Sequence, residues 1–570
     1  MSALRVWGPA VTKIRVRADG RDTALEPAGD GWWNGPELAP GTDYGFVLDD
    51  EDDLVPDPAS RWQPVGVHGP SRVYDQDAHV WHDGHWAGRD LSAAVVYELH
   101  IGTFTPGATF DSAIERLPHL VDLGVTHVEV LPVNAVNGVW NWGYDGVDWY
   151  AVHEPIGGPD AFKRFVDAAH GVGLAVVLDV VYNHLGPSGN YLPRFGPYLK
   201  TGRNTWGDLV NVEEPAVRRF VLDNALMWLR NFHIDGLRLD AVHALADDSP
   251  VHILAQLSQE VAALSAELGR PLTLIAESDL NDPIMITPVA EGGRGMDAQW
   301  DDDVHHALHA MLTGERQGYY EDFGPISVLA KTFTRAFFHD GTYSTFRGRD
   351  HGAPIDPAKQ RGQQFVVCLQ DHDQVGNRAV GDRLPEITSP GRLRVGAVLL
   401  LTSPFTPMLW MGEEWAASTR WPFFTSHPEP ELAEATAKGR VEEFASHGWD
   451  VSQMIDPQDP EAYRSAILDW SEAESGTHLD MLALYRELTA LRAAEPDLRD
   501  GDLRRVSVDF DDEQLWLVVH RGAFRVLANL GSGDHRFGVS GEIVLSTGPA
   551  TVDGDAVVLG PDAAAIVRVG

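Results

Sequence analysis

Two periodicities divide the chain. Up to about residue 90, short runs such as Arg5 to Pro9 and Lys13 to Ala18 alternate apolar and polar residues, as half-buried strands do. Gly and Asp clusters separate these runs, and helical spacing is absent, which predicts a β-sandwich over residues 1–90. From Ser92 the pattern changes to short apolar runs that alternate with helix-length segments. The runs fall at residues 94–100, 127–132, 174–181, 236–240, 272–277, 297–300, 364–370 and 407–411. Eight strand–helix alternations predict a (β/α)8 barrel with insertions over residues 91–490.

Helices are expected at residues 110–123, 160–172, 215–232 and 251–268, with Leu117, Leu120, Val121 and Gly124 forming the packed face of the first. The stretch 134–158, rich in Trp, Gly, Asn and Tyr, is too long for an ordinary connection and reads as a functional insertion. Strand patterning returns near the C-terminus and predicts a second β-sandwich over residues 491–570. The expected fold is therefore multi-domain α/β, a central barrel flanked by two β-sandwich domains.

Three of the apolar runs open into an acid: Asp240, Glu277 and, just past its run, Asp373. An acid at the end of a buried strand is costly unless solvated, paired or used. Taken singly, each also has a reading as a loop or helix cap. In a (β/α)8 barrel, however, the C-terminal strand ends build the active site. Other polar residues gather at the same ends: Glu98 and His100, Asp179, Asn183 and His184, Arg238, and Asp371 with His372. Arg238 and Asp240 are two apart and share a strand face, so the guanidinium favours an ionised Asp240. Glycoside cleavage needs one such carboxylate at the anomeric carbon and one protonated acid at the leaving oxygen. Asp240 as nucleophile, Glu277 as acid/base with its pKa raised by neighbours such as Asp373, and Asp373 as stabiliser fit that requirement. Tyr144 offers an aromatic platform for a sugar ring.

Composition narrows the reading. The 570 residues are 44% hydrophobic, a globular composition. The formal net charge of −40 opposes nucleic-acid binding and is indifferent to a neutral glucan. The single cysteine, Cys368, excludes an internal disulfide and a cysteine zinc site and reads as a buried, inert thiol. The N-terminal residues lack a signal-peptide pattern. The most apolar stretch, residues 395–411, contains Pro404 and Pro407 and reads as a buried helix, a turn and a strand. A cytoplasmic enzyme, with no membrane contact, is the expectation. Asp49 to Asp53 and Asp301 to Asp303 read as solvated loop or helix-cap charges, so neither metal nor cofactor is expected.

Four segments, residues 179–184, 236–243, 275–278 and 370–373, resemble in order the motifs of the α-amylase family of glycoside hydrolases. The resemblance implies a retaining mechanism with the same three roles for Asp240, Glu277 and Asp373. It implies sugar contacts from Tyr144, His184, Arg238 and His372, with His243 of the second motif a further candidate. Gln374, Asn377 and Arg378 are candidates by position, with an Arg378–Asp382 pair as the alternative for Arg378. Asp371 departs from the usual Asn of this family and is expected to add charge beside Asp373.

Further segments (96–105, 142–147, 276–283, 373–378, 411–415, 423–427, 443–449 and 456–460) resemble one branch of that family. Its members cut the α-1,4 bond next to the terminal trehalose of maltooligosyl trehalose, and the usual companion is a maltooligosyltrehalose synthase that makes the substrate. The rival expectations are a glycogen debranching or branching enzyme of the same family and a non-catalytic glucan-binding protein on the same fold.

Overall fold

The structure, a computed structural model, describes residues 3–446 and 450–570. All eight apolar runs form strands, and these close into one parallel barrel. In chain order the barrel strands are Val96–Leu99, His127–Val130, Ala175–Val180, Gly236–Leu239, Thr273–Ala276, Ala298–Trp300, Phe365–Cys368 and Thr406–Trp410. The sixth has only three residues but pairs with both neighbours, Ile275 with Ala298 and Gln299 with Phe365.

Strand parity sorts the apolar residues into two cores. Val96, Val177, Ile275, Val366, Cys368 and Met408 fill the barrel interior as a separate cluster. Tyr97, Val176, Leu178, Leu237, Leu239, Leu274 and Val367 point outward and join the helix layer. A strand buried on both faces must be apolar on both, which explains the unbroken runs. Glu98, Asp179, Arg238 and, just past the strand, Asp240 share the parity of the inward set.

The segment 395–411 is the end of a buried helix, Pro390–Thr402, a turn and the eighth strand. Helices Gly158–Gly171, Pro215–Asn231 and Ile253–Leu268 lie close to their expected places. The first expected helix is instead two, Phe110–Ile114 and Leu117–Asp122. Pro118 sits at the second position of the latter, where its missing N–H costs nothing; inside a continuous helix it would clash with the preceding turn. Leu117 and Leu120 are buried, but Val121 is 41% exposed and Gly124 lies beyond the helix at φ +86°. Those two do not belong to the packed face.

Residues before the barrel form two antiparallel sheets, one containing Ala3–Trp7 and one containing Ile14–Ala18. After helix Gly476–Ala494, the C-terminal residues form a five-stranded and a three-stranded antiparallel sheet. Among the described residues, no helix is long and apolar enough to cross a membrane, and no group of three or more His, Cys, Asp or Glu could hold a metal ion.

Asp301 to Asp303 stand at the N-terminus of helix Asp302–Thr313, the second of the two expected readings, but Asp301 and Asp303 are buried rather than solvated, and Asp303 Oδ2 accepts from Asn281 Nδ2 and from the N–H groups of Phe338 and His339. Asp49 is a loop cap, accepting from Thr12 and Lys13. Cys368 is buried, and burial holds its thiol well above the usual range.

A buried charge network ties the segment before the barrel to the barrel floor. His170 bonds Asp83 Oδ2 at 2.9 Å and Asp235 Oδ2 at 2.9 Å, with Trp86 stacked on its ring at 4.6 Å. Trp86 and Arg270 both donate to Asp235 Oδ1. Burial alone lowers the His170 pKa, but Asp235 and Asp83 reverse this and raise it above its ordinary 6.5. The charged ring therefore stabilises the fold fully below about pH 6.5, and that stabilisation is lost as pH rises through the raised value. His170→Leu takes one partner from each of two buried carboxylates, but Asp83 keeps His233 and Asp235 keeps Arg270, so the expected cost is about 1 to 3 kcal/mol. Thermal unfolding checks this: the gap between wild type and variant should be widest near or below about pH 6.5 and narrow toward alkaline pH. An alkaline widening would refute the charged-ring account.

Candidate active site

The fourth and fifth strands run in a register that pairs Gly236 with Thr273 and Leu239 with Ala276. The ladder continues one step further, with the Glu277 N–H donating to the Leu239 carbonyl at 3.0 Å. Asp240 and Glu277 therefore emerge side by side. Neighbouring strands lie about 4.8 Å apart, which suits a retaining pair with carboxyls about 5 to 5.5 Å apart.

Arg238 organises the pair from below. Its guanidinium is fully buried against the Trp300 ring at 4.2 Å. Nη1 donates to Asp240 Oδ1 and to Asp179 Oδ2, each at 2.8 Å, and Nη2 lies 3.8 Å from Glu277 Oε2. Asn183 Nδ2 donates to Asp240 Oδ2 at 2.8 Å. Both oxygens of Asp240 thus receive a donor. Glu277 Oε2 accepts instead from the N–H of Ala241. Ala241 occupies the left-handed region at φ +41°, a strained conformation for a residue with a Cβ, and its amide ties the Glu277 carboxyl to the residue that follows Asp240.

Electrostatics separates the two acids. The Glu277 pKa is pushed up to about 8, first by burial and then by Asp240 and Asp373, against the opposing pull of Arg238. The expected contribution of Asp373 is present, but desolvation leads. His372 is held at about 10 despite its burial, because Glu98 and Asp373 face it; its Nδ1 lies 2.5 Å from Glu98 Oε1 and its Nε2 3.6 Å from Asp373 Oδ1. Burial raises Asp179 to about 6, against Arg238.

A cleft of about 460 Å³ opens over these groups and is lined by Asp240, Glu277, Asp373, His372, Tyr144 and His184, among others. Tyr144 is held from two sides: its hydroxyl donates to Asp179 Oδ2 at 2.6 Å, and its ring stacks on His372 at 5.0 Å. The insertion 134–158 supplies Asn141, Trp142, Tyr144 and Asp145 to the cleft. Gly143 makes its turn possible, since at φ +112° a Cβ there would lie 2.2 Å from the Pro132 carbonyl oxygen.

Several expected contacts lie elsewhere. Arg238 is beneath the carboxylates and does not line the cleft. His243 also lies outside the lining, where its Nδ1 accepts from the Asp279 N–H at 3.4 Å. Gln374 is outside the lining, with its Oε1 buried. Arg378 is buried in ion pairs with Glu315 at 2.7 Å and Asp382 at 2.8 Å, the pairing foreseen as its alternative. Asp371 is buried and caps the short helix His372–Gly376 by accepting from the Gln374 N–H. Its own pKa rises to about 7, through burial and then Glu98. Arg238, Asp240 and Asp373 are the charges that shift Glu277, whereas Asp371 raises Asp302 and Cys368.

The cleft also contains residues with no local sequence signal. Trp206 stacks on His184 at 5.9 Å, and Arg440 reaches in from the helix Pro430–Ser446. Residues 447–449 of the 443–449 segment lie outside the described residues.

A closed parallel barrel with an acid pair and a third carboxylate at its C-terminal strand ends is the arrangement of α-amylase-type glycoside hydrolases. In agreement, the family described as "Alpha amylase, catalytic domain" matches residues 105–195, and a domain of unknown function, DUF3459, matches residues 501–566. A malto-oligosyltrehalose trehalohydrolase from Arthrobacter ramosus is 53% identical over 99% of this chain and 99% of its own length. The one from Rhizobium sp. (strain M-11) is 51% identical over 99% and 97%. A solved structure from Salmonella typhimurium, described as an alpha amylase, superposes with a TM-score of 0.92 at 37% identity, covering 100% of this chain and 97% of that one. The chain belongs to the malto-oligosyltrehalose trehalohydrolase family, within the glycoside hydrolases of the α-amylase class.

Proposed function

We propose that the chain hydrolyses the α-1,4-glucosidic bond next to the terminal trehalose of maltooligosyl trehalose, releasing trehalose and a shortened maltooligosaccharide. The reading is supported above all by the unequal treatment of two adjacent acids. Glu277 keeps its proton to about pH 8, while both oxygens of Asp240 receive donors from Arg238 and Asn183. Asp240 attacks the anomeric carbon and forms a glycosyl-enzyme, and Glu277 gives its proton to the departing oxygen. Glu277, now ionised, takes a proton from water, which attacks the same carbon and releases Asp240 with net retention. Asp373 stabilises the positive charge that develops on the sugar between these steps. His372 and Arg238 are the cations that keep this acidic cluster together.

The substrate follows the family. Residues 1–90, 91–490 and 491–570 serve as three domains of a cytoplasmic enzyme, whose substrate a maltooligosyltrehalose synthase supplies. Incubation with maltooligosyl trehalose and, separately, with glycogen tests the reading. Trehalose and a maltooligosaccharide, first formed as its α-anomer, are the expected products. Branch cleavage or transfer on glycogen without trehalose release would replace this reading with a debranching or branching activity, and binding without turnover would replace it with a glucan-binding one.

A further inference from the structure

Helix Pro430–Ser446 is exposed along most of its length and meets the cleft through Arg440 and Glu443, with Phe444 buried against Arg440. The Arg440 guanidinium is clamped between the Phe423 ring at 4.3 Å and the Phe444 ring at 4.5 Å. Nη1 donates to Glu443 Oε2 at 2.9 Å, and Nη2 donates to Asn377 Oδ1 at 2.8 Å. Asn377 Nδ2 in turn donates to Asp373 Oδ1 at 3.2 Å.

The chemistry of these three groups fixes the direction of the chain of bonds. A guanidinium can only donate, so it holds the amide oxygen of Asn377 toward itself. The amide nitrogen is then obliged to face Asp373. In the flipped amide, two donors would meet at Arg440 and a carbonyl would meet the carboxylate. Asp373 Oδ1 is thus approached by Asn377 Nδ2 on one side and by His372 Nε2, at 3.6 Å, on the other. Its partner oxygen, Oδ2, remains to meet a sugar in the cleft. The Asp373 side chain is 45% exposed, so without these two neighbours little else near the cleft would hold its rotamer.

We propose that Arg440 is a positioning residue for the hydrolytic reaction: acting through Asn377, it sets the orientation of the Asp373 carboxylate at the reacting sugar. The proposal rests on the role given to Asp373 above. It differs from a purely structural role, in which a cation between two aromatic rings only fastens the helix to the barrel.

The test uses full-length protein and maltooligosyl trehalose. Arg440→Met keeps apolar bulk between the two phenylalanines and removes the donors. It should lower kcat by about 10- to 100-fold, as a misplaced catalytic group does, with little change in KM. Affinity for a cationic iminosugar, which mimics the charge of the transition state, should fall by a similar factor, while affinity for neutral maltotriose should hold. Arg440→Lys should recover part of kcat, since an ammonium still donates to the amide. Asn377→Ala should reproduce the loss, and the double variant should lose little more, because both act on one carboxylate. If Arg440→Met does not fold, Asn377→Ala with the two ligands decides alone. A kcat close to wild type in the folded variant, equal loss of charged and neutral ligand, or additive losses in the double variant would each overturn the proposal. Asp373→Asn separates this failure from a deeper one. If Asp373→Asn retains kcat, the reading of the site fails; if it is inactive while Arg440→Met and Asn377→Ala are not, only the relay fails.

Discussion

Asp240→Asn is expected to abolish turnover, with kcat reduced on the order of 10⁴-fold or more, as for loss of other enzymic nucleophiles. Binding should survive, because the amide is isosteric and Asn183 and Arg238 still pack around it. The substitution has a second consequence. Asp240 is one of the charges that raise the Glu277 pKa. Removing it should lower that pKa, so any residual activity should lose its acid at a lower pH than in wild type. The nucleophile role is separable from a general electrostatic one by chemical rescue. Azide added to the smaller Asp240→Gly variant should restore cleavage and yield the β-glycosyl azide, since a single displacement inverts the carbon. Rescue without inversion, or full activity in Asp240→Asn, would remove Asp240 from the role.

Glu277→Gln has the next largest expected effect, a loss of about 10² to 10⁴ in kcat, the usual contribution of a positioned acid. The amide cannot give a proton to the departing sugar, so the loss should shrink for a substrate whose leaving group needs no protonation, such as a nitrophenyl glycoside. The sign of the pH dependence follows from the raised pKa. Bond cleavage requires the protonated acid, which persists to about pH 8, so activity should fall as pH rises through that value. Replacing Asp373 by Asn removes another carboxylate that raises Glu277 and should move this alkaline limb to lower pH. An alkaline limb unmoved by Glu277→Gln and by Asp373→Asn would assign the limb to another group.

Acidic groups predominate at and beneath the cleft. Below it Glu98 and Asp179 join Asp240 and Asp373 around two buried cations, Arg238 and His372. Such a set favours positive charge developing on the reacting sugar. Arg238 contributes by arrangement: one guanidinium bonded to Asp179 and Asp240 and near Glu277 fixes the geometry of the acids to which the chemistry is assigned.

Much of this was legible in the linear chain. The eight apolar runs and their spacing identified the barrel, because burial on two faces demands unbroken apolar stretches, and the acids at their ends marked the three candidates that the structure brings to one cleft. Local chemistry also foretold the buried Cys368 and the pairing of Arg378 with Asp382. What escaped it depended on which way side chains point and on what comes near from afar. Arg238 was expected at the sugar and lies beneath the acids, because it sits inside the strand, two residues below Asp240 on the same inward face, and its three carboxylate neighbours hold it there. Asp303 reads as a solvated or helix-cap charge in sequence, yet it is buried and held by backbone donors from a distant segment. Arg440 sits in a helix with no distinguishing pattern, 67 residues after Asp373, and joins the site only because the chain returns across the cleft. Periodicity records how each segment is buried, and so the sequence by itself determined the barrel and the strand ends that carry its candidate acids. Contacts between distant segments leave no local periodicity, and so only the tertiary structure decided which charges hold those acids and which residues wall the cleft.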